Sequence, residues 1–254
     1  FSVNAIAKNN IDVLTTISVG AINMDLNIYE TFTANWGTFD GDTRDISIKS
    51  NIPAAELGVT VLANKFYYGF NVLITGQSVA HYNLSSFDRS NNTTTNTSSQ
   101  EVTSRSSYSI YTGYSFQDNI SLYGGLSFGT GGYGQEVFID EFGPFIGGRY
   151  TFRFGATSNL NFDLSYSFIN TETTIRNEDY VSAQYTVTST NSALSFSTTW
   201  LKALDRGRSF FVKLKLINLA LDGSTNVEAT AGGTGIVTIS GNQILMSLSL
   251  GMGF

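Results

Sequence analysis

The sequence has no cysteine, only two prolines, a single histidine and few charged residues among its 254 residues. Without cysteine there can be no disulfide bond and no thiolate chemistry. Charged residues make up 13% of the chain, whereas a soluble domain has about 25%. The net charge of −6 argues against a nucleic-acid partner. So small a share of charged residues indicates that much of the surface contacts something other than water.

Long apolar runs are also absent, although 41% of the residues are hydrophobic. No stretch approaches the ~18 consecutive apolar residues of a membrane-spanning helix. The apolar residues instead occupy alternate positions over about 8–10 residues, which is typical of strands with one apolar and one polar face. The clearest pair covers Phe142–Phe152 and Leu160–Phe168, joined by a short polar connection around Ala156. We interpret this pair as a β-hairpin.

The connections between such strands alternate in length. Short turns are predicted at Asn64-Lys65, Gln117–Asn119 and Asp205–Gly207, while long polar segments cover residues 31–45, 83–106, 129–141, 170–182 and 219–234. Short turns at one end and long loops at the other are typical of outer-membrane barrels. In residues 11–30 the apolar positions slip from odd to even numbers, which indicates either a β-bulge or a turn. A bulge gives about ten strands; a turn, with residues 1–7 paired, gives about twelve.

The last residues, Gln243–Phe254, carry apolar side chains at every second position and end in an aromatic residue. On this feature and the strand pattern, nearly the whole chain resembles the bacterial outer-membrane β-barrel proteins. The resemblance implies a closed antiparallel transmembrane β-barrel in the bacterial outer membrane, with the lipid bilayer and lipopolysaccharide as partners. It also implies that the barrel-assembly machinery binds through Phe254. It does not identify a particular family or an activity.

We expect residues 11–254 to form the barrel and residues 1–10 to form a periplasmic segment or a short strand. Because the chain starts at Phe1 without a charged and apolar leader, we interpret it as a mature form. In lipid the apolar face of each strand must point outward and the small, polar face inward. Aromatic residues near the short turns then form a girdle at the membrane interface. Its predicted members include Tyr68, Phe116, Phe152, Trp200, Phe210 and Phe254.

Few charged residues fall on the inward faces; they are Glu56, Arg149, Asp163, Lys213 and Lys215. Arg149 and Asp163 are predicted to lie opposite each other, either as a cross-strand ion pair or as a constriction that selects solutes by charge. Lys213 and Lys215 need counter-charges from other strands or from solutes. Inward residues such as Ser247, Ser249 and Gly251 project little, so a barrel of about ten strands could keep a narrow wet path.

We therefore predict a narrow passive channel for small solutes, without a cofactor or a metal. The first alternative is a surface protein with a plugged lumen whose long loops bind a partner. The second is a lipid-modifying enzyme at the barrel rim, with His81 as the candidate catalytic residue near Ser78, Ser85 and Asp88. Since serine is common throughout the chain and no catalytic motif surrounds His81, we predict that the protein is not an enzyme.

Overall fold

The computed structural model describes residues 11–33, 41–134, 136–176, 185–204, 208–228 and 234–253. No helix in these ranges is long and apolar enough to cross a membrane. The predicted segment 1–10, the turn at Asp205–Gly207 and Phe254 lie outside the described residues. The described residues form eleven strands: β1 Ile11–Thr33, β2 Asp42–Ala63, β3 Phe66–Thr75, β4 Ser78–Asp88, β5 Thr93–Gln117, β6 Ile120–Tyr133, β7 Val137–Phe154, β8 Ser158–Ile175, β9 Tyr185–Ala203, β10 Ser209–Glu228 and β11 Thr234–Gly253.

The strands form one closed antiparallel barrel. β1 pairs with β2 on one side and with β11 on the other, so the wall closes on itself. β3 and β4 lie end to end between β2 and β5 and together occupy one strand position. The described barrel therefore has ten strand positions. The predicted fold class is confirmed, and the count is ten rather than twelve.

The break between β3 and β4 is a one-residue irregularity opposite Pro53. Thr75 pairs with Ala54 and Ala80 pairs with Ser50, so the β3–β4 side carries one more residue than β2 does. The amide N of Gly76 donates to the carbonyl O of Pro53 at 3.0 Å. An extra residue reverses which alternate side chains face outward. Even-numbered residues therefore face outward in β3, and odd-numbered ones in β4.

The phase slip in β1 has a different cause from the two we predicted. The strand runs without a bulge or a turn, because its register with both neighbours is continuous from Leu14 to Phe32. Odd residues face outward throughout: Ile17 is 63% exposed, whereas Met24 and Ile28 on the even face are buried. What changes along the strand is the face that carries the apolar side chains. The predicted bulge or turn is therefore wrong.

The same change occurs around the whole barrel and divides it into two halves. In the half next to the short turns, the outward side chains are apolar and exposed, as expected of a lipid-facing band; they include Ile17, Val19, Leu57, Phe70, Ile110, Leu122, Ile146, Leu164, Phe196, Leu214 and Leu250. In the other half the exposed outward side chains are mostly polar, with a few apolar ones such as Val79, Val102 and Ile236. The polar ones include Asn23, Asn27, Lys49, Asn51, His81, Asn83, Asn170, Glu172, Asp222 and Asn226. This half extends beyond the membrane into water.

Inside the extramembrane half the barrel is filled by an apolar core. Its largest fully buried side chains are Met24, Leu26, Ile28, Ile46, Ile48, Ile52, Tyr133, Ile139 and Ile175. Much of the sequence predicted to be long loops belongs to these strands. Residues 83–106, for example, form the outer parts of β4 and β5, joined by a turn at residues 89–92. Apolar burial in water is what stabilises this half.

The boundary between the two halves can be tested with a charged residue on the outward face of β1. Ile17→Arg puts a cation in the lipid-facing band and should destabilise the barrel by about 2–4 kcal/mol. Asn27→Arg, on the same face but in the extramembrane half, is the matched control and should have little effect. Urea unfolding of the barrel in lipid vesicles measures both. Equal effects would contradict the assigned boundary.

Candidate functional site: the barrel lumen

Below the apolar core, within the membrane-spanning half, the lumen contains a chamber of about 270 Å³ that is lined by charged, hydroxyl-bearing and apolar side chains. It is lined by the inward residues of most strands, with hydroxyl groups such as those of Thr16, Ser165 and Thr199. At the end next to the short turns, a second apolar cluster packs inside the barrel; it consists of Leu14, Leu62, Leu201 and Phe211. The chamber is thus bounded by apolar side chains at both ends.

All five predicted lumen charges line this chamber. Arg149 and Asp163 are direct cross-strand neighbours on β7 and β8, and Arg149 Nε lies 2.6 Å from Asp163 Oδ1. Ser197 on β9 donates to the other oxygen of Asp163 at 3.3 Å. Lys215 Nζ lies 3.2 Å from both carboxylate oxygens of Glu56, which stands on β2, three strands away around the wall. That contact crosses the lumen, so hairpin register could not reveal it.

Many of the small inward residues make room for aromatic rings. A Cβ added to Gly113 would lie 2.1 Å from the ring of Tyr67, and one added to Gly69 would lie 2.0 Å from the ring of Tyr111. A Cβ added to Gly147 would likewise lie 2.5 Å from the ring of Tyr123. The rings of Tyr67, Tyr111 and Tyr123 follow one another with centroids 6.4 and 6.3 Å apart. Their spacing suits tilted and edge-to-face contacts, which stabilise one wall of the chamber.

The small face of β11 is occupied in the same way. A Cβ on Gly251 would lie 2.0 Å from the Phe211 ring, and one on Gly253 would lie 2.5 Å from a methyl group of Leu14. Ser249 and Ser247 are both buried, and the Ser249 hydroxyl contacts that of Ser18 on β1 at 2.5 Å. At this end of the barrel, neighbouring side chains use the space that the small residues of β11 leave.

Two groups of charged residues inside the barrel were not predicted. Most of these residues, namely Arg44, Arg105, Glu136 and Glu141, fall in segments interpreted as loops. The first group lies at the boundary between chamber and core, where the Arg105 guanidinium contacts the Glu141 carboxylate and the side-chain oxygen of Gln243. Arg105 stands six residues before the inward Tyr111 on the same strand, and Glu141 stands four residues before the inward Phe145. Because both separations are even, Arg105 and Glu141 also face inward. Extending the alternation outward from the membrane band would have found both residues.

The second group, called here the mouth cluster, consists of Glu30, Arg44, Tyr82, Glu136 and Tyr185 in the extramembrane half. Arg44 lies 3.7 Å from Glu30 and 3.5 Å from Glu136, and Tyr82 donates to Glu136 at 2.7 Å. Tyr185 donates to Glu30, which is fully buried. The cluster connects β1, β2 and β4 with β9 and with the β6–β7 turn. It therefore ties distant parts of the wall together.

Burial sets the ionisation of the mouth cluster. Burial, with the charge and hydrogen bonding of Glu30, raises the pKa of Tyr185 above its ordinary value. Burial also raises the pKa of Tyr82; the positive charge of Arg44 acts in the opposite direction, and Glu136 adds to the rise. Burial alone would lower the pKa of Arg44, but Glu30, Tyr82 and Glu136 together hold it above its usual range. Both tyrosines are therefore neutral and Arg44 is charged at neutral pH.

Of the predicted girdle residues, Tyr68, Phe116, Phe152 and Trp200 are exposed on the outer surface near the short turns, and Phe210 is partly buried there. His81 is also exposed on the outer surface, paired with Lys49 and Gln100. Ser85 is four residues further along β4, roughly 13 Å away at the usual strand rise. The structure does not bring His81 and Ser85 into contact.

The barrel is similar to solved structures of outer-membrane proteins. The outer membrane protease OmpT from Escherichia coli matches with a TM-score of 0.64 and 13% identity, over 96% of this chain and 97% of that chain. The translocator domain of autotransporter NalP from Neisseria meningitidis matches with a TM-score of 0.42 and 10% identity, over 99% and 90%. The outer membrane protein OprG from Pseudomonas aeruginosa has a TM-score of 0.40 and 9% identity, over 98% of each chain. No protein-family model and no curated protein sequence matches the chain.

These features together define the class of protein: it is a β-barrel of the bacterial outer-membrane type, with a lipid-facing apolar band. Its predicted location in the outer membrane agrees with that class. The prediction that the chain is not an enzyme is wrong, because the barrel shares its architecture with a protease over nearly all of both chains. At 13% identity the likeness shows the fold alone, so it assigns no reaction and no catalytic residue to this chain.

The packing of aromatic rings on glycine can be tested at Gly113. Gly113→Ala places a methyl group within 2.1 Å of the Tyr67 ring, so we expect a loss of about 1–3 kcal/mol from overpacking. Gly148→Ala is the matched control, because its methyl group meets Leu122 at an ordinary 3.4 Å. Urea unfolding followed by tryptophan fluorescence compares the two variants. Equal stability of the two variants would show that the packing of the Tyr67 ring does not require glycine at position 113.

The mouth cluster predicts an alkaline limit to stability. Tyr82 and Tyr185 have pKa values raised above the ~10 of an unfolded tyrosine, so their contribution is complete below about pH 10 and is lost as the pH rises further. The free energy of unfolding should therefore fall more steeply above pH 10 in the native protein than in the Tyr82→Phe/Tyr185→Phe double variant. Near neutral pH, Tyr185→Phe should cost about 1–3 kcal/mol, since Glu30 loses a donor.

Urea unfolding at a series of pH values measures both effects. Tyr29→Phe, which changes an exposed tyrosine on the outward face of β1, is the matched control and leaves the mouth cluster intact. The same alkaline slope in the native protein and the double variant would contradict the assignment.

Proposed function

We propose that this protein acts at the outer face of the membrane, where its extramembrane half binds a partner while the lumen stays closed. The observation that carries the proposal is the apolar core, which includes Met24, Leu26, Ile48 and Ile139. A core of buried apolar side chains favours a solid body over a water-filled passage. The strands above the membrane then serve as a support for the hairpins at their ends.

The outer surface of this half supports a binding role. Its exposed side chains are mostly Ser, Thr and Asn, and the β4–β5 hairpin presents them on residues 91–98. Binding residues are commonly carried by connections held on a rigid scaffold. The hairpin rests on β2 through the pairing of Phe87 with Thr43 and of Tyr82 with Ile48. This pairing and the mouth cluster would hold the binding surface in a fixed orientation.

A narrow channel is the second candidate, and the charged residues of the chamber favour it. The charged residues Glu56, Arg149 and Lys215 line the chamber at membrane level, as the wall of a selective pore would. A conducting form requires the apolar side chains at both ends of the chamber to move aside. The two candidates therefore differ in whether the inserted barrel conducts ions.

Single-channel recording separates them. We expect the purified barrel, inserted into a planar bilayer, to show no resolved conductance steps. Heat-dependent migration in a detergent gel would confirm that the same preparation is folded. Reproducible steps from the folded protein would overturn the closed lumen and favour the channel.

The binding role is tested by shortening the β4–β5 hairpin. Replacing residues 85–96 by Asn-Gly joins the neighbouring pair Leu84 and Thr97 through a two-residue turn suited to hairpins. We expect cells that display this variant to lose adhesion to host-cell or matrix surfaces, with folding unchanged. As the matched control, Ser90→Ala and Asn91→Ala change the tip without shortening it. Adhesion that never exceeds that of cells without the barrel would refute the binding role.

A further inference from the structure

The chamber within the membrane-spanning half has more positive than negative charges. Arg105, Arg149 and Lys215 each have a carboxylate partner there, in Glu141, Asp163 and Glu56. Lys213 also lines the chamber, but no carboxylate of the described residues lies within ion-pair distance of its ammonium group. The described chamber therefore carries one positive charge in excess.

The carboxylates of Asp163 and Glu56 act on Lys213 at longer range. Each of them is paired with another cation, Asp163 with Arg149 and Glu56 with Lys215. The direct neighbours of Lys213 offer hydroxyl groups. On β10 it stands between Thr199 of β9 and Ser249 of β11, its direct neighbours in register. Both of these side chains are buried. A hydroxyl can donate to an anion as readily as it accepts from an ammonium group. Lys213, Thr199 and Ser249 all line the chamber. The Ser249 hydroxyl also contacts that of Ser18; as the acceptor in that contact it keeps its own proton for an anion.

The position of the chamber makes the excess charge costly. It lies at the level of the lipid-facing band and is bounded at its ends by Phe211 and Leu201 and by the apolar core. An ion without a partner in an interior of low dielectric constant loses much of its hydration without gaining a compensating charge. Two states remove the cost: a neutral lysine, or an anion held beside the ammonium group.

We propose that the chamber binds a small monovalent anion, held by the ammonium group of Lys213 with the hydroxyls of Thr199 and Ser249. One excess positive charge matches one negative charge. A volume of about 270 Å³ holds a halide or a short carboxylate together with several water molecules, at roughly 30 Å³ for each water. The uncharged hydroxyls around Lys213 can donate to either a halide or a carboxylate. This site is independent of the proposed surface function, because it requires neither a conducting lumen nor a partner.

Bromide tests the site directly in the native protein. Crystals of the barrel grown or soaked in sodium bromide should show an anomalous peak within contact distance of Lys213 Nζ. Bromide peaks confined to the outer surface would identify an adventitious ion only and would overturn the proposal. This measurement does not depend on the folding of any variant.

Thermal unfolding in solution gives a second, matched test. When chloride replaces gluconate at constant ionic strength, the unfolding midpoint of the native protein should rise by a few degrees, roughly as expected for a ligand that binds only the folded state. Lys213→Met should abolish this rise and, in gluconate, should be at least as stable as the native protein, since it removes the excess charge. Lys202→Met, at an exposed lysine near the β9–β10 turn, is the control and should keep the rise. An anion-independent midpoint in the native protein would indicate a neutral Lys213 and refute the site.

Discussion

The structure depends on one constraint: in lipid, every backbone N–H and C=O must find its partner within the wall. Water is absent there, and an unpaired group costs several kcal/mol, so the sheet cannot have a free edge. β1 therefore pairs with both β2 and β11. Closure in turn fixes the register of all strands, and with it which side chain of each strand points into the lumen. The chamber, its ion pairs and its aromatic wall all follow from that register.

The same wall continues from lipid into water, and the side chains change accordingly. In the membrane the apolar side chains face outward, because lipid is the apolar phase there. Above it the inside is the only place where apolar side chains can avoid water. β1 shows both states on one uninterrupted strand, with Ile17 outward and Met24 inward. The apolar core that closes the lumen is therefore the consequence of building a tall barrel with its outer half in water.

The charged residues of the chamber and those of the mouth cluster connect different parts of the barrel wall. The chamber is lined by residues of most strands and holds its ion pairs at membrane level, where the partners Lys215 and Glu56 meet across the lumen. The mouth cluster lies in water-exposed wall and connects Glu30 on β1 with Tyr185 on β9. Removing one partner from such buried groups leaves the other unpaired, which costs more than the contact contributes. Both groups therefore favour one arrangement of the wall.

The sequence by itself determined the barrel, its closure and the direction in which the membrane-band residues face. Alternation with period two is a local property, and in lipid it has only one solution, so residues such as Leu164 and Arg149 could be assigned to the outside and the inside. The register of a single hairpin also put Arg149 opposite Asp163.

Only the tertiary structure decided what fills the lumen. The pairing of Lys215 with Glu56, the packing of Phe211 on Gly251 and the mouth cluster join residues that are far apart in sequence. The apolar core was missed for two reasons. Core residues such as Ile139 and Ile175 lie in segments interpreted as loops, and the even-numbered apolar residues of β1, such as Met24, were interpreted as a phase slip. A period-two pattern states that a strand has two faces; which face meets water, lipid or the opposite wall is known only once the wall has closed.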